Sequence, residues 1–312
     1  QKTAYEIRPR DWSSDVCSSD LFGHETAGVV AAVGSKVTKY QPGDRVIVFH
    51  HIPCGNCFYC GYKLYAQCPT YKKTGVTAGF EPAGGGFSQY VRVMDWIVER
   101  GVEKIPDGVS FEQASFVEPV NTCLKGIKAA TPKPGEVCAV LGQGPIGLIF
   151  TMMAKLEGLR TVVTDTMAPR RELALKFGAE AAFDPRGPEF VEYVKSITEG
   201  RGADVVIEAA GSPMTYQQSL DIVGYAGRVV TIGYAPEAIP LNTSLIVKKE
   251  LNVLGSRNAL HEFEPVQELI RSRGSTLDPL ISGIYPLEEA GEAFRHWHQH
   301  PEKVIKLLVK LN

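Results

Sequence analysis

The chain has 312 residues, of which 44% are hydrophobic and 22% charged, and its formal net charge at pH 7 is −2. This length allows two domains, and the composition is that of an ordinary globular protein. A nearly neutral chain offers no basic field to nucleic acid or to an anionic membrane. No apolar run approaches the roughly 20 residues of a membrane span, and the first residues contain no apolar signal core. We therefore expect a cytoplasmic protein without nucleic-acid or membrane partners.

The first 20 residues differ from the rest of the chain. Residues 11–20 show neither a two-residue nor a helical hydrophobic period, and few of their side chains could bury surface. This stretch resembles translated adapter sequence found at the ends of some metagenomic fragments, so we interpret residues 1–20 as non-native. A natural disordered arm is the alternative, and in either case we expect no packed structure there.

Short alternating segments and turn residues predict a β-rich domain from Leu21 onward. Residues 23–34 begin with Gly-His-Glu and lead into a strand, and Pro42-Gly43-Asp44 is a turn before a strand over residues 45–49. Residues 88–93 alternate and predict another strand. Many short strands separated by turns are typical of a small barrel-like domain.

Four of the seven cysteines lie in one short segment, at Cys54, Cys57, Cys60 and Cys68. Four thiolates on a short loop can form a closed tetrahedral shell, which predicts a structural zinc site. An odd cysteine number with four clustered argues for metal binding in a reducing compartment rather than for disulfides.

Two other interpretations of this cysteine loop stay open. The Cys-x-x-Cys-x-x-Cys run and Pro69 after Cys68 resemble an iron–sulfur pattern, although bacterial ferredoxins place the fourth cysteine after only three residues. A zinc ribbon that grips nucleic acid is the other, but its basic residues, Lys63, Lys72 and Lys73, are sparse. Cys123 and Cys138 are expected to be buried packing residues.

A glycine-rich turn organises the second half of the chain. An apolar run over residues 137–141 predicts a buried strand, and the turn Gly142-Gln143-Gly144-Pro145-Ile146-Gly147 precedes a helix with Ile149, Phe150 and Met153 on one face. Such a turn lets a pyrophosphate approach the backbone at the helix N-terminus, with Pro145 suited to the first helical position. Asp165, at the end of the next strand, would accept the ribose hydroxyls of a dinucleotide.

Six strands separated by helical segments predict a doubly wound parallel α/β sheet. The predicted strands cover residues 137–141, 161–165, 181–183, 204–208, 228–232 and 251–255. We assign this dinucleotide-binding domain to residues 120–258. The tail from residue 259 is predicted to be helical, with a final strand over residues 304–311.

Gly-His-Glu at 23–25, the four-cysteine loop and the glycine turn, in that order, resemble the zinc-dependent medium-chain alcohol dehydrogenases. Within that family the chain is most similar to the polyol (sorbitol) and L-threonine dehydrogenase branch. Glu118 stands where other members carry a zinc-binding cysteine, and His51 before Pro53-Cys54 also resembles the threonine enzymes. The resemblance implies a GroES-like catalytic domain over residues 21–119 and 259–312 beside a Rossmann domain.

By this resemblance, a catalytic zinc would be held by His24 and Glu25, with Glu118 acting directly or through a water. His51 would belong to the same catalytic site, and Thr122 and Arg170 would contact the cofactor. The family usually supplies one more zinc-binding cysteine about twenty residues before Gly-His-Glu. Cys17 lies only seven residues before His24, so we expect the native N-terminal strands and that ligand to be missing.

The implied reaction is hydride transfer from a zinc-bound secondary alcohol, a polyol or a hydroxy-amino acid, to NAD. Asp165 favours NAD because a carboxylate repels the 2′-phosphate of NADP, while Arg170 and Arg171 keep NADP open. A non-catalytic fragment that binds NAD and zinc, and a zinc-ribbon nucleic-acid binder, are the competing hypotheses. The family usually forms homodimers or homotetramers, and we expect a homo-oligomer with a small alcohol as its substrate.

Overall fold

The computed structural model describes residues 23–49, 52–69, 86–235, 237–259 and 262–311. Within these residues the chain divides into two compact units. The first contains the described residues of 23–121, 259–299 and 306–311, and the second contains those of 122–258 and 300–305. Residues 300–305 therefore pack with the second unit, although sequence analysis assigned them to the catalytic domain. The segment 1–20 lies outside the described residues.

The first unit contains a three-stranded antiparallel sheet in the order β1-β2-β3 and a parallel pair, β10-β11. Its strands are β1 (Glu25–Val29), β2 (Arg45–Phe49), β3 (Val102–Lys104), β10 (Ile281–Pro286) and β11 (Lys306–Lys310). Its helices are α1 (Phe58–Gly61), α2 (Asp95–Arg100), α3 (Phe111–Ala114), α10 (Phe263–Arg273) and α11 (Ala290–Gln299). Helix α4 (Val117–Ala130) contains the boundary between the two units.

One predicted strand of this unit is wrong, and two strands, β3 and β10, were missed. Residues 88–93 form no strand, although Val91 and Val93 pack against the apolar cluster around Phe49 and Ile97. Their alternation therefore reflects burial of every second side chain without a paired backbone. Strand β10 was expected to be helical, and its pairing partner β11 lies far along the chain.

The second unit is a six-stranded parallel sheet in the order β6-β5-β4-β7-β8-β9, which confirms the predicted fold class. Its strands are β4 (Val137–Leu141), β5 (Arg160–Thr164), β6 (Ala181–Phe183), β7 (Ala203–Glu208), β8 (Val223–Thr231) and β9 (Asn252–Gly255). Its helices are α5 (Pro145–Leu156), α6 (Ala168–Lys176), α7 (Glu189–Ile197), α8 (Pro213–Ile222) and α9 (Ser244–Lys248). The chain order reverses between β4 and β7, where such sheets bind ligands at the carboxyl ends of their strands.

Helix α5 is buried on all sides and not on a single face. Ile149, Phe150 and Met153 are buried as predicted, and Leu148 and Met152 are buried as well. Sequence periodicity indicated an amphipathic helix because it detected only the most apolar stripe. A helix enclosed in this way is held rigidly against β4, which fixes the glycine turn that joins them.

Among the described residues, no helix is both long enough and apolar enough to cross a membrane.

Candidate active site and metal centres

Three candidate metal ligands meet in the first unit although they lie far apart in the sequence. His24 precedes β1, Glu25 begins that strand, and Glu118 lies in the first turn of α4. One ligand atom from each lies within 4.8 Å of the other two, and His24 Nε2 lies 3.7 Å from Glu118 Oε2. A zinc ion bonds to imidazole nitrogen and carboxylate oxygen at about 2.0–2.2 Å, so one ion can reach these atoms.

The backbone around His24 is tightly constrained. Gly23 has a φ of +71°, a left-handed conformation that favours glycine, and a Cβ there would lie 3.0 Å from Phe87. The Thr26 hydroxyl donates to the Gly23 carbonyl at 3.1 Å. These contacts fix the direction in which the chain enters β1, and with it the position of the imidazole.

Glu25 has a partner that sequence analysis missed. The Lys306 ammonium on β11 forms an ion pair with the Glu25 carboxylate and lies 5.1 Å from the centroid of the Phe116 ring. An ammonium that engages the carboxylate competes with a metal for its lone pairs, so Lys306 would oppose metal binding by Glu25. Nothing in the sequence pairs residues 25 and 306, because β11 reaches this site only through the fold.

The four-cysteine loop forms a second cluster in the first unit. Cys54, Cys57, Cys60 and Cys68 present sulfur atoms within 4.8 Å of one another, and all four are free thiols. The Sγ atoms of Cys57 and Cys60 are 3.5 Å apart, and those of Cys54 and Cys60 are 3.9 Å apart. Zinc–sulfur bonds of about 2.3 Å at tetrahedral angles separate neighbouring sulfurs by roughly 3.8 Å. The donor set therefore fits one zinc ion and leaves no room for the bridging atoms of an iron–sulfur cluster.

Arg100 and Gly55 hold the backbone of this loop. Arg100 Nη1 donates to the Cys54 carbonyl at 3.1 Å, and a Cβ on Gly55 would lie 2.7 Å from the same nitrogen. Burial raises the pKa of the Cys60 thiol to about 12, so a metal that binds there must displace a proton.

In the second unit, the glycine turn joins β4 directly to α5. Gly142 has a φ of +91°, and a Cβ there would lie 2.8 Å from the Ala210 side chain. A Cβ on Gly147 would lie 1.9 Å from the Gly142 carbonyl oxygen, so the helix touches the turn where only hydrogen fits. Gly144 has nothing within 4 Å of its would-be Cβ, and it is the N-cap residue before Pro145. The first N–H groups of α5 therefore face open space, which suits an anion.

Asp165 lies directly after β5 and reaches the turn. Its Oδ2 accepts from the Gln143 N–H at 2.7 Å and its Oδ1 from the Met167 N–H at 2.8 Å, with 7% of the residue exposed. A carboxylate has about four lone-pair positions, so two remain for ribose hydroxyls. The predicted carboxylate thus lies beside the predicted phosphate turn.

Both neighbouring arginines have protein partners. Arg170 Nη1 lies 4.0 Å from Asp165 Oδ2, and its Nη2 donates to the carbonyls of Pro301 at 3.2 Å and Val304 at 3.4 Å. Arg171 Nη1 donates to the Asp165 carbonyl at 2.7 Å. Both guanidinium groups thus already make hydrogen bonds within the protein.

The remaining predicted site residues have varied positions. Ile146 and Thr122 are half-buried, in α5 and α4 respectively. Cys123 and Cys138 are buried outside both ligand clusters, as predicted. His51 and Cys17 lie outside the described residues.

Two family profiles match the chain. The profile described as "Alcohol dehydrogenase GroES-like domain" matches residues 4–107, and "Zinc-binding dehydrogenase" matches residues 145–272. Sorbitol dehydrogenase of Bacillus subtilis is 31% identical over 294 residues, with 94% of this chain and 81% of that protein covered. The chain belongs to the zinc-dependent medium-chain alcohol dehydrogenase family. The first profile includes most of the segment 1–20, whose interpretation as non-native stays a prediction.

Two further similar proteins bear on the substrate class and on the cofactor. L-threonine 3-dehydrogenase of Pyrococcus abyssi is 33% identical over 294 residues, with 91% of this chain and 82% of that protein covered. A zinc-binding dehydrogenase of Sinorhizobium meliloti 1021, solved with NADP bound, has a TM-score of 0.80 at 30% identity and covers 92% of this chain and 82% of its own. The chain is accordingly a zinc-dependent oxidoreductase of this family with a nicotinamide cofactor.

Replacing Gly144 by alanine separates cofactor binding from folding. The added methyl meets no protein atom but occupies the space into which a pyrophosphate would enter. We expect Gly144→Ala to raise the dissociation constant for NAD about tenfold or more, a loss of about 1.4 kcal/mol. Calorimetric titration measures the affinity, and the thermal midpoint should stay within about 2 °C. Gly34→Ala, at an equally open position of the first unit, is the control, and an unchanged affinity in Gly144→Ala would contradict the assignment.

Removing one thiolate tests the structural zinc site. Cys57→Ser should lower the zinc content by one ion per chain and lower the thermal midpoint, because the closed shell loses a ligand. Inductively coupled plasma mass spectrometry gives the metal content. Cys123→Ala, which removes a buried thiol outside the cluster, should leave the zinc content unchanged. Full zinc retention in Cys57→Ser would show that the loop is not the site.

Proposed function

We propose that this alcohol dehydrogenase oxidises a secondary alcohol, either a polyol or a hydroxy-amino acid such as L-threonine, with NAD as the hydride acceptor. The convergence of His24, Glu25 and Glu118 within 4.8 Å carries the proposal. One imidazole and carboxylate oxygens, with a coordination position left for substrate, are the donor set of a catalytic zinc site. The names of the sorbitol and L-threonine relatives support this substrate class.

Each residue of this cluster has a separate task. His24 offers a neutral ring nitrogen as a ligand, and the start of helix α4 favours the negative charge of Glu118. Lys306 contacts Glu25 beside them. Burial lowers the pKa of Lys306 to about 7, so its protonated form limits the negative charge of the cluster. When bound, the zinc ion supplies a Lewis acid that acidifies the substrate hydroxyl, and the nicotinamide supplies the hydride acceptor. His51, after β2, is proposed for the same site by family resemblance.

The cofactor proposal rests on the surroundings of Asp165. Gly144 would face the pyrophosphate, in a turn whose shape Gly142 and Gly147 permit. Pro145 and Ile146 lie in the first turn of α5, and Thr122 and Arg170 would be further contacts. Asp165 would bind the ribose and repel a 2′-phosphate. Arg170 and Arg171 also bind backbone carbonyls, so the preference for NAD over NADP rests on the Asp165 carboxylate.

The partner proposal rests on an edge strand, and the compartment proposal rests on the free cysteines. Within the described residues β9 pairs on one side only, with β8, and Val253 on it is 42% exposed. An edge strand of this kind can pair with another chain, so we propose a homo-oligomer. The six described cysteines are free thiols, which supports a reducing compartment such as the cytoplasm.

Turnover assays with matched variants test the activity. With zinc loaded and counted, NADH formation at 340 nm is followed for a panel of polyols and for L-threonine, with NAD and with NADP. We expect His24→Ala to lower kcat/KM at least about a hundredfold, since loss of a catalytic metal removes several kcal/mol. Its affinity for NAD should change by less than about twofold, because the turn is a separate feature.

The exposed His298→Ala is the matched control and should retain full activity. Full activity in His24→Ala would refute the metal site, and a preference for NADP would refute the argument from Asp165. If the chain binds NAD and one zinc but turns over no alcohol, it is instead a non-catalytic NAD- and zinc-binding protein.

An oligomer formed through β9 should dissociate when a charge enters the edge strand. Val253→Lys should shift the mass measured by light scattering toward that of the monomer, because burying an unpaired ammonium is costly. Leu175→Lys, at a comparably exposed apolar residue of α6, should leave the mass unchanged. A monomeric unmodified protein, or an unaltered mass in Val253→Lys, would refute this interface.

A further inference from the structure

The residue between the first two glycines of the turn is buried and fully engaged. Gln143 has no exposed surface, and its Nε2 donates to the carbonyls of Val140 at 3.2 Å and Gly142 at 3.0 Å. Its Oε1 accepts from the Thr151 hydroxyl at 2.8 Å, and Thr151 is likewise buried in α5. A dinucleotide turn needs only a small side chain at this position, so a buried amide with three hydrogen bonds calls for an explanation.

These hydrogen bonds connect three elements of the second unit. Val140 belongs to β4, Gly142 to the turn and Thr151 to the second turn of α5. The Thr151 hydroxyl also lies 2.9 Å from the Gly147 carbonyl oxygen, one helical turn earlier. The Gln143 side chain therefore joins the strand, the turn and the helix by hydrogen bonds, and we call this set of hydrogen bonds the brace.

The brace acts on one peptide plane that also touches Asp165. The carbonyl of Gly142 and the N–H of Gln143 belong to the same peptide group. The Gln143 side chain holds the oxygen of that group, and the N–H donates to Asp165 Oδ2 at 2.7 Å. Because a peptide group is rigid and planar, fixing its oxygen fixes the direction of its N–H. The orientation of the Asp165 carboxylate thus depends on the Gln143 amide.

We infer that Gln143, braced by Thr151, is a positioning residue that orients Asp165 toward the adenosine ribose and so sets the preference for NAD over NADP. The inference rests on the proposed NAD site and adds a residue that acts on it through another. Gln143 would act on the ribose diol indirectly, since only Asp165 would contact the hydroxyls. Without the brace the peptide group can rotate, and Asp165 loses the N–H that holds one of its oxygens.

A near-isosteric variant removes the brace without opening a large cavity. Gln143→Met keeps the side-chain volume and the backbone N–H but loses all three side-chain hydrogen bonds. Since these hydrogen bonds hold the peptide group that positions Asp165, we expect the dissociation constants of NAD and ADP-ribose to rise together by about tenfold. The constant for NADP should rise less, so that the ratio of NADP to NAD constants falls by about threefold or more.

Thr151 supplies an independent variant in case Gln143→Met does not fold. Thr151→Val removes only the hydroxyl that holds Gln143 Oε1, and the same changes are expected in the same direction but smaller. Thr151→Ser keeps the hydroxyl, so its NAD affinity and its ratio of NADP to NAD dissociation constants should match those of the unmodified protein. The double variant Gln143→Met/Thr151→Val should bind NAD no more weakly than Gln143→Met alone, because both act through one brace.

The outcomes separate this inference from the proposed function. An unmodified protein that fails to bind NAD would refute both the NAD proposal and the role of Gln143. Normal NAD binding in the unmodified protein, with unchanged constants in Gln143→Met, would refute the role of Gln143 alone. An equal loss of NAD and NADP binding, accompanied by a lower thermal midpoint, would assign Gln143 a purely structural role and would also overturn the inference.

Discussion

The cofactor site depends on the close approach of helix α5 to the glycine turn. Helix α5 packs against the Gly142 carbonyl so tightly that a Cβ at Gly147 would lie 1.9 Å from the oxygen. This approach aligns the helix N-terminus with the carboxyl edge of the sheet, where the order of strands reverses between β4 and β7. It also places the Gln143 N–H against Asp165. The turn proposed to bind phosphate and the carboxylate proposed to bind ribose are consequently two parts of one packed arrangement.

The metal cluster of the first unit depends on a different kind of constraint. Its ligands come from the start of β1 and the first turn of α4, and a lysine from β11 engages one of them. No local sequence motif holds these elements together. The left-handed Gly23 before His24 fixes one end of the cluster, and the packing of the unit brings Glu118 and Lys306 to it. A catalytic site assembled from distant segments can keep an open coordination position, because no single loop closes around the ion.

The cysteine cluster shows the opposite design. All four sulfurs come from a short segment that includes α1 and a single 3₁₀ turn over Tyr65–Gln67. Gly55 and Arg100 fix its backbone from outside the donor set. The four cysteines lie close together in the sequence, so their proximity depends little on the rest of the fold. Their spacing alone would let the loop enclose one ion. A closed shell of four thiolates leaves no position for substrate, which suits stability and not catalysis.

The sequence by itself determined several features that depend on local spacing. The six parallel strands, the glycine turn, the pairing of that turn with Asp165 and the cysteine loop all follow from residues a short distance apart. The tertiary structure alone decided which distant groups meet: His24 with Glu118, Glu25 with Lys306, and Arg170 with residues 301 and 304. It also corrected residues 88–93, because alternating burial records which side chains face a core but not whether the backbone has a pairing strand. The role of Gln143 was hidden for the same reason, since a sequence pattern shows where glycine is required but not what the side chain between two glycines touches.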